Sequence, residues 1–307
     1  METLVQQIVN GLVLGAVYAL VALGYTMVYG ILGLINFAHG EVVMVGALVA
    51  LAAIKALAAA GVPSAALLPL GLAASMAVCM GLGAAIERIA YRPLRHAPRL
   101  APLITAIGVS IVLQYTAVLI WGRSYHAYPE LLPTAPLEFL GARVSAAQAA
   151  IVVIAALTMG GLLWLVHRTR LGRAMRATAE NPGVARLMGV DVDRVISLTF
   201  VIGSALGAVA GVLVSVNYSV AHYQMGFVLG LKAFTAAVLG GIGNLAGAMV
   251  GGLLLGLIEA LGSGYIGDLT GGVFGSNYRD VFAFLVLVLV LIFRPSGLLG
   301  ERVAERA

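Results

Sequence analysis

The sequence predicts an all-α fold: a polytopic membrane helix bundle of about eight to nine transmembrane segments, forming one domain over residues 1–307 with a single long basic loop. Two observations carry this. The chain is 61% hydrophobic and only 10% charged, with a mean hydropathy of +1.04. Its apolar runs also recur at about the 20 residues that a helix needs to cross a bilayer. A soluble globule carries roughly 25% charged residues to cover its surface, so a water-soluble enzyme is excluded. Disorder is excluded as well, because it requires low hydrophobicity. Cys79 stands alone, which rules out an internal disulfide and a CxxC metal site. No basic stretch precedes the first apolar run, and no cleavable signal peptide is expected.

Apolar runs over 8–30, 41–60, 65–87, 101–121, 147–167 and 195–216 each predict a span. A Gly-rich region at 227–262 and a last run at 281–293 follow. Thirteen of the eighteen cations fall into three clusters: Arg88 to Arg99, Arg168 to Arg194, and Arg294 with Arg302 and Arg306. Positive charge collects on cytoplasmic loops, so all three clusters, and with them the C-terminus, are expected inside. The net charge of +5 then reflects topology rather than nucleic-acid binding. A single helix over 227–262 would return the C-terminus to the outside. The cluster Gly240-Gly241-Ile242-Gly243-Asn244 reads as a helix break. The region is therefore expected to split into a short segment at 227–240 and a span at 245–262, with the N-terminus outside.

The loop at 122–146 is then external. It holds Pro129, Pro133 and Pro136, and Trp121, Tyr125 and Tyr128 suit an interfacial belt. Glycine, at 39 copies, is the most informative residue. Gly203, Gly207 and Gly211, and likewise Gly243, Gly247 and Gly251, recur once per turn. Lipid provides no hydrophobic drive between helices, so small faces that admit close backbone approach are expected to pack them.

The first inside turn, Gly33 to Glu41, carries Asn36, His39 and Glu41. Glu41 suits the N-terminal end of a helix dipole; the functional alternative is that the three line the inner mouth of a translocation pathway. Lys232 and Glu259 are intramembrane charges, which mark pathways by default, although Lys232 is near enough to the outer surface to snorkel. Lys232 is retained as a pathway candidate. The histidines (39, 96, 126, 167 and 222) show no metal-ligand spacing, and no catalytic motif such as GxSxG or HExxH occurs.

The loop at 168–194 is the strongest functional feature. It is longer than a connector needs. Leu171, Ala174, Met175 and Thr178 lie at helical spacing, as do Val184, Ala185, Leu187 and Met188, with Asn181-Pro182 dividing two short helices and Gly189 ending the second. An apolar face on each, with no membrane to bury it, predicts docking into a cytoplasmic partner. The only lysines, Lys55 and Lys232, are each followed by Ala, so the chain lacks a phosphate-binding P-loop.

Three stretches carry a family resemblance: GLVLGAVYALVALGYTMVYGILGLINFAHGE (11–41), RATAENPGVARLMGVDVDRVISLTFVIGSALGAVAG (176–211) and GLKAFTAAVLGGIGNLAGAMVGGLLLGLIE (230–259). The chain resembles the LivH-type permease subunits of bacterial ABC importers for branched-chain amino acids. The resemblance implies a non-enzymatic transport subunit of the inner membrane. Its implied partners are a second, LivM-type permease, two cytoplasmic ATPases that bind the ATP and magnesium, and a periplasmic amino-acid-binding protein. It places ATPase coupling on the loop that holds Arg173, Arg176, Glu180, Asn181, Ala185 and Gly189. Ala185-xxx-Gly189 is similar to the EAA…G pattern of importer permeases, with Gly183 and Val184 replacing the preceding acid and alanine. Urea or short amides are the alternative substrates. A stand-alone ion-coupled carrier or channel is the alternative class, for which Glu41, Lys232 and Glu259 offer only a sparse relay.

Overall fold

A computed structural model describes residues 2–95, 97–98, 100–131, 136–139, 141–270 and 278–300. Arg99, Arg302, Arg306, His96 and Pro133 lie outside the described residues. Eleven helices are described: α1 (Glu2–Leu32), α2 (His39–Ala59), α3 (Ser64–Ile86), α4 (Leu100–Trp121), α5 (Ala146–Arg168), α6 (Arg170–Glu180), α7 (Pro182–Leu187), α8 (Val192–Tyr218), α9 (Met225–Gly240), α10 (Leu245–Leu269) and α11 (Arg279–Phe293). Four short strands, β1 (His126–Ala127), β2 (Pro136–Phe139), β3 (Ala142–Ser145) and β4 (Val220–Ala221), form two small antiparallel pairs. Among the described residues, seven helices are long and apolar enough to cross a membrane. At 16 and 15 residues, α9 and α11 fall short of the roughly 20 that a perpendicular crossing needs.

The predicted break appears where the glycines stand. Gly241 and Gly243 take φ values of +105° and +98°, which a side chain would resist. Asn244 then caps α10 by accepting the Gly247 amide at 3.0 Å. Gly243 is thus a turn residue, and only Gly247 and Gly251 of that expected ladder are helical. The start of α5 is set by a capping box in which Ser145 and Gln148 satisfy each other's amides.

Contacts between loops sort the bundle into two ends. At one, the loop end, β1 pairs with β4 (His126 opposite Ala221) and the Gln6 amide group brackets Arg143. At the other, the arginine end, Arg95 joins Glu87 to Asp193, and Asp193 also meets Arg92 at 3.4 Å and Arg186 at 3.5 Å. The α9–α10 turn lies at that end too, where Asn244 Nδ2 donates to the Leu299 carbonyl at 2.9 Å. The described C-terminal segment therefore returns to the end that carries Arg92, Arg95 and Arg186.

The centre of the bundle is α1, which is buried continuously over residues 13–28. A helix that is apolar all round has no face suited to water and is buried in the core. By contrast, α4 and α5 expose Ile104, Ile107, Leu119, Leu157 and Trp164, the character of a lipid-facing surface. Glycine lets the neighbours of α1 approach. A Cβ on Gly15 would stand 2.7 Å from Leu253 Cα of α10, and one on Gly46 of α2 would stand 2.7 Å from Ala208 Cα of α8. In the Gly203, Gly207 and Gly211 ladder of α8, Gly211 abuts the Val43 backbone of α2, whereas Gly203 has ordinary clearance from Gly24.

Gly15→Leu should therefore separate α1 from α10. Overpacking costs about 1–3 kcal/mol, and the expected outcome is a lower melting temperature and a smaller monodisperse fraction on size exclusion in detergent. Gly160→Ala, at a position with nothing within 4 Å, serves as the neutral control.

Candidate translocation site and coupling face

Lys232 lies on α9 and points inward rather than snorkelling: its side chain is only 8% exposed. The reason is a partner that linear reading did not assign to it. Glu259 of α10, fully buried, accepts from Lys232 Nζ at 2.8 Å, from Arg279 Nε at 2.5 Å and from the Tyr18 hydroxyl at 2.9 Å. Asp280 meets Lys232 at 2.6 Å, and Arg279 Nη2 donates to the Tyr218 hydroxyl at 3.1 Å. Two cations and two carboxylates from α9, α10 and α11 thus form one neutral cluster. Burying these charges is tolerable only because each has a close opposite charge and further hydrogen bonds.

Lys232, Arg279 and Asp280 of the cluster line a cavity of about 510 Å³ near the loop end. One wall is apolar, built from Val13, Leu14 and Val17 of α1, Val214 of α8, and Val228 and Leu229 of α9. The polar lining is Tyr18, Asn217, Tyr218, His222, Gln224, Lys232, Arg279 and Asp280. A second cavity of about 200 Å³ shares Asn217, Tyr218 and Arg279 and reaches Gln7, Asn10 and Gln148. The α8–α9 connection, with Ser219 at φ +54° and β4 paired to β1, covers the first cavity from the loop end. There His222 stacks edge-on with Tyr125 at 4.7 Å, and burial holds its imidazole below the usual pKa.

The other predicted pathway residues do not reach this cavity. Asn36 Oδ1 accepts from the Ala38 amide and the Tyr91 hydroxyl, both at 3.2 Å, which closes the α1–α2 turn. His39 is buried edge-on to Tyr25 at 5.0 Å. Glu41 faces α4, accepting from Gln114 at 2.6 Å and Ser110 at 3.1 Å. All three are buried at 3% exposure or less, and none lines a described cavity, so in this conformation they join helices rather than border a path.

At the arginine end the two short helices form as predicted, capped by Thr169 and Asn181 and ended by Gly189 at φ +82°. Their apolar faces differ from the expectation. Met175 of α6 packs with Leu171 and Ala174 into the bundle's own core, beside α1, α5 and α8. Ala185 of α7 is buried too, against Val192 and Ile196. A hydrophobic residue at a loop helix can be covered by its own chain, and here α8 does so. What remains exposed on and just after α7 is Val184, Leu187 and Met188, the last two at 87% and 80%. Arg173, Arg176, Glu180 and Asn181, on and just after α6, are exposed as well.

Residues 7–291 match the family described as branched-chain amino acid transport system / permease component. The chain belongs to that family. Among permeases that resemble it, the high-affinity branched-chain amino acid transport system permease protein BraD of Pseudomonas aeruginosa is 50% identical over 98% of this chain and 97% of its own. LivH of Escherichia coli K12, a permease protein of the same description, is 46% identical with the same coverage. The probable branched-chain amino acid transport permease protein LivH of Methanocaldococcus jannaschii is 28% identical over 92% of this chain and 88% of its own.

Within this permease, linear reading singled out Lys232 and noted Glu259 but passed over Tyr18, Asn217, Tyr218, Arg279 and Asp280. Arg279-Asp280 reads as the polar flank of the last apolar run. The available signal was electrostatic: a cation and an acid inside apolar helices each need a counter-charge, and these two stand next to a span.

Removing one member of the cluster should cost more than removing a matched pair. Glu259→Ala leaves Lys232 and Arg279 without their shared acid and is expected to destabilise by about 3–5 kcal/mol. The double variant Lys232→Met, Glu259→Leu leaves Arg279 and Asp280 in balance and should recover most of that loss. Thermal melting of the purified protein checks both.

Proposed function

We propose that this chain is the membrane-spanning permease subunit of an ATP-driven importer for branched-chain amino acids. The observation that carries the reading is the 46–50% identity, over nearly the full length of both chains, to permeases described for that transport. The subunit is a passage rather than an enzyme. With no P-loop of its own, it draws on partner ATPases that bind ATP and magnesium, and it works beside a second permease in the inner membrane.

In this reading the loop end faces the periplasm and the arginine end, with the C-terminus, faces the cytoplasm, in line with the positive-inside bias. A binding protein delivers leucine, isoleucine or valine to the loop end. The ATPases seat on Val184, Leu187 and Met188, together with Arg173, Arg176, Glu180 and Asn181. Ala185 and Gly189 shape α7 from behind rather than touching the partner. Movement of α7 has a route into the bundle: Arg186 pairs with Asp193 at the start of α8, Asp193 with Arg95, Arg95 with Glu87, and Glu87 accepts from Ser197 at 2.7 Å. The tight glycine contacts leave helices free of interlocking side chains, so α8 and α2 can shift as rigid bodies between outward and inward access.

Reconstituted with its partners in liposomes, the transporter should take up labelled leucine only with ATP and the binding protein. Uptake of urea with no uptake of leucine would reassign the substrate, and gradient-driven uptake by this chain alone would sink the importer reading. For the coupling face, Leu187→Asp and Met188→Asp should lower ATPase co-purification about ten-fold, as loss of a central apolar contact does, with membrane insertion intact. Undiminished co-purification would remove the docking surface from α7.

A further inference from the structure

The cluster at the loop-end cavity divides its acids unequally. Glu259 is fully buried, with three donors on it, and has no room to take another partner. Asp280 is half-exposed, at 53%, and its described ion pair is with Lys232. Only Asp280 is placed to exchange partners, while Glu259 serves as the fixed counter-charge. Lys232, Arg279 and Asp280 all line the cavity, and so do Val17, Val214, Val228 and Leu229 on the apolar wall.

We propose that this cavity holds a free aliphatic amino acid in transit, as its zwitterion. The α-carboxylate lies on Lys232 and Arg279, the α-ammonium lies on Asp280, and the side chain lies on the Val17, Val214, Val228 and Leu229 wall. The inference rests on the importer reading and deepens it by giving the permease a substrate subsite of its own. The physical case is a match of charges. Two cations and two acids form a neutral site, and a zwitterion enters without adding net charge, so no uncompensated ion is carried into the bilayer interior. A carboxylate gains two charged donors that already face the cavity, and an ammonium gains an acid that is free to turn. An uncharged solute such as urea could hydrogen-bond to these groups but would bring no opposite charge to them. An acidic or basic side chain would meet a wall without a counter-charge, whereas an aliphatic one gains from burial there. The volume of about 510 Å³ lies in the range of small-ligand sites, and the adjoining polar cavity with Gln7, Asn10 and Gln148 offers hydrated access from the loop end.

The test uses the complete transporter in proteoliposomes, with labelled leucine and valine supplied through the binding protein. Asp280→Asn should lower ATP-driven leucine uptake, per assembled complex recovered, at least about ten-fold, the worth of one charge-assisted hydrogen bond. Asp280→Glu, which keeps the charge, should restore much of the uptake. Val228→Phe narrows the wall at a partly exposed position and should raise the valine-to-leucine uptake ratio about five-fold, in keeping with discrimination by a methylene in an apolar pocket. Leucine uptake undisturbed by Asp280→Asn, or a ratio unmoved by Val228→Phe, would overturn the subsite. Wild-type complex that imports no leucine would instead overturn the importer reading, so the two failures are distinguishable.

Discussion

Everything in this bundle depends on how closely helices approach the buried α1. In water a core forms because apolar surface leaves the solvent, but lipid tails are as apolar as leucine and give helices no such reason to associate. What remains is dispersion at short range, and that requires backbones to come within contact of one another. Gly15 against Leu253 and Gly46 against Ala208 are where this happens, at separations that no Cβ would permit.

Against that apolar background the Lys232, Glu259, Arg279 and Asp280 cluster is the costly element. Ions in a membrane are tolerated when paired, and these four are paired through five helices once Tyr18 and Tyr218 are counted. The cluster ties α10 and α11 to α9 at the loop end, while the Arg95, Glu87 and Asp193 cluster ties α3 to α8 at the arginine end. The two ionic assemblies thus lie at opposite ends of the bundle. A passage that must open at one end and then the other suits such an arrangement, with firm points at each end and a smooth interior between.

Much was legible in the linear sequence. The apolar runs and the break at Gly240 to Asn244 follow from local properties. So do the two short helices divided by Asn181-Pro182. What misled was exposure. Met175 and Ala185 lie on apolar stripes outside the spans, and linear periodicity contains no information on whether the chain itself covers such a stripe. Asn36, His39 and Glu41 were open to both readings, helix contact and path lining. Polar residues at a membrane boundary serve turns and helix contacts as readily as paths, and the difference lies in whether Tyr91, Tyr25 and Gln114 stand opposite them.

The sequence by itself determined the solvent, the number of apolar runs, their order and the lack of a P-loop motif, because composition, run length and the residues after each lysine are local quantities. Tertiary structure alone decided which charges meet. Lys232 and Glu259 are 27 residues apart and Tyr18 is 241 residues from Glu259, so their junction exists only once α1, α9 and α10 are packed. Coulomb energy depends on distance in space and on burial, and neither is written along the chain.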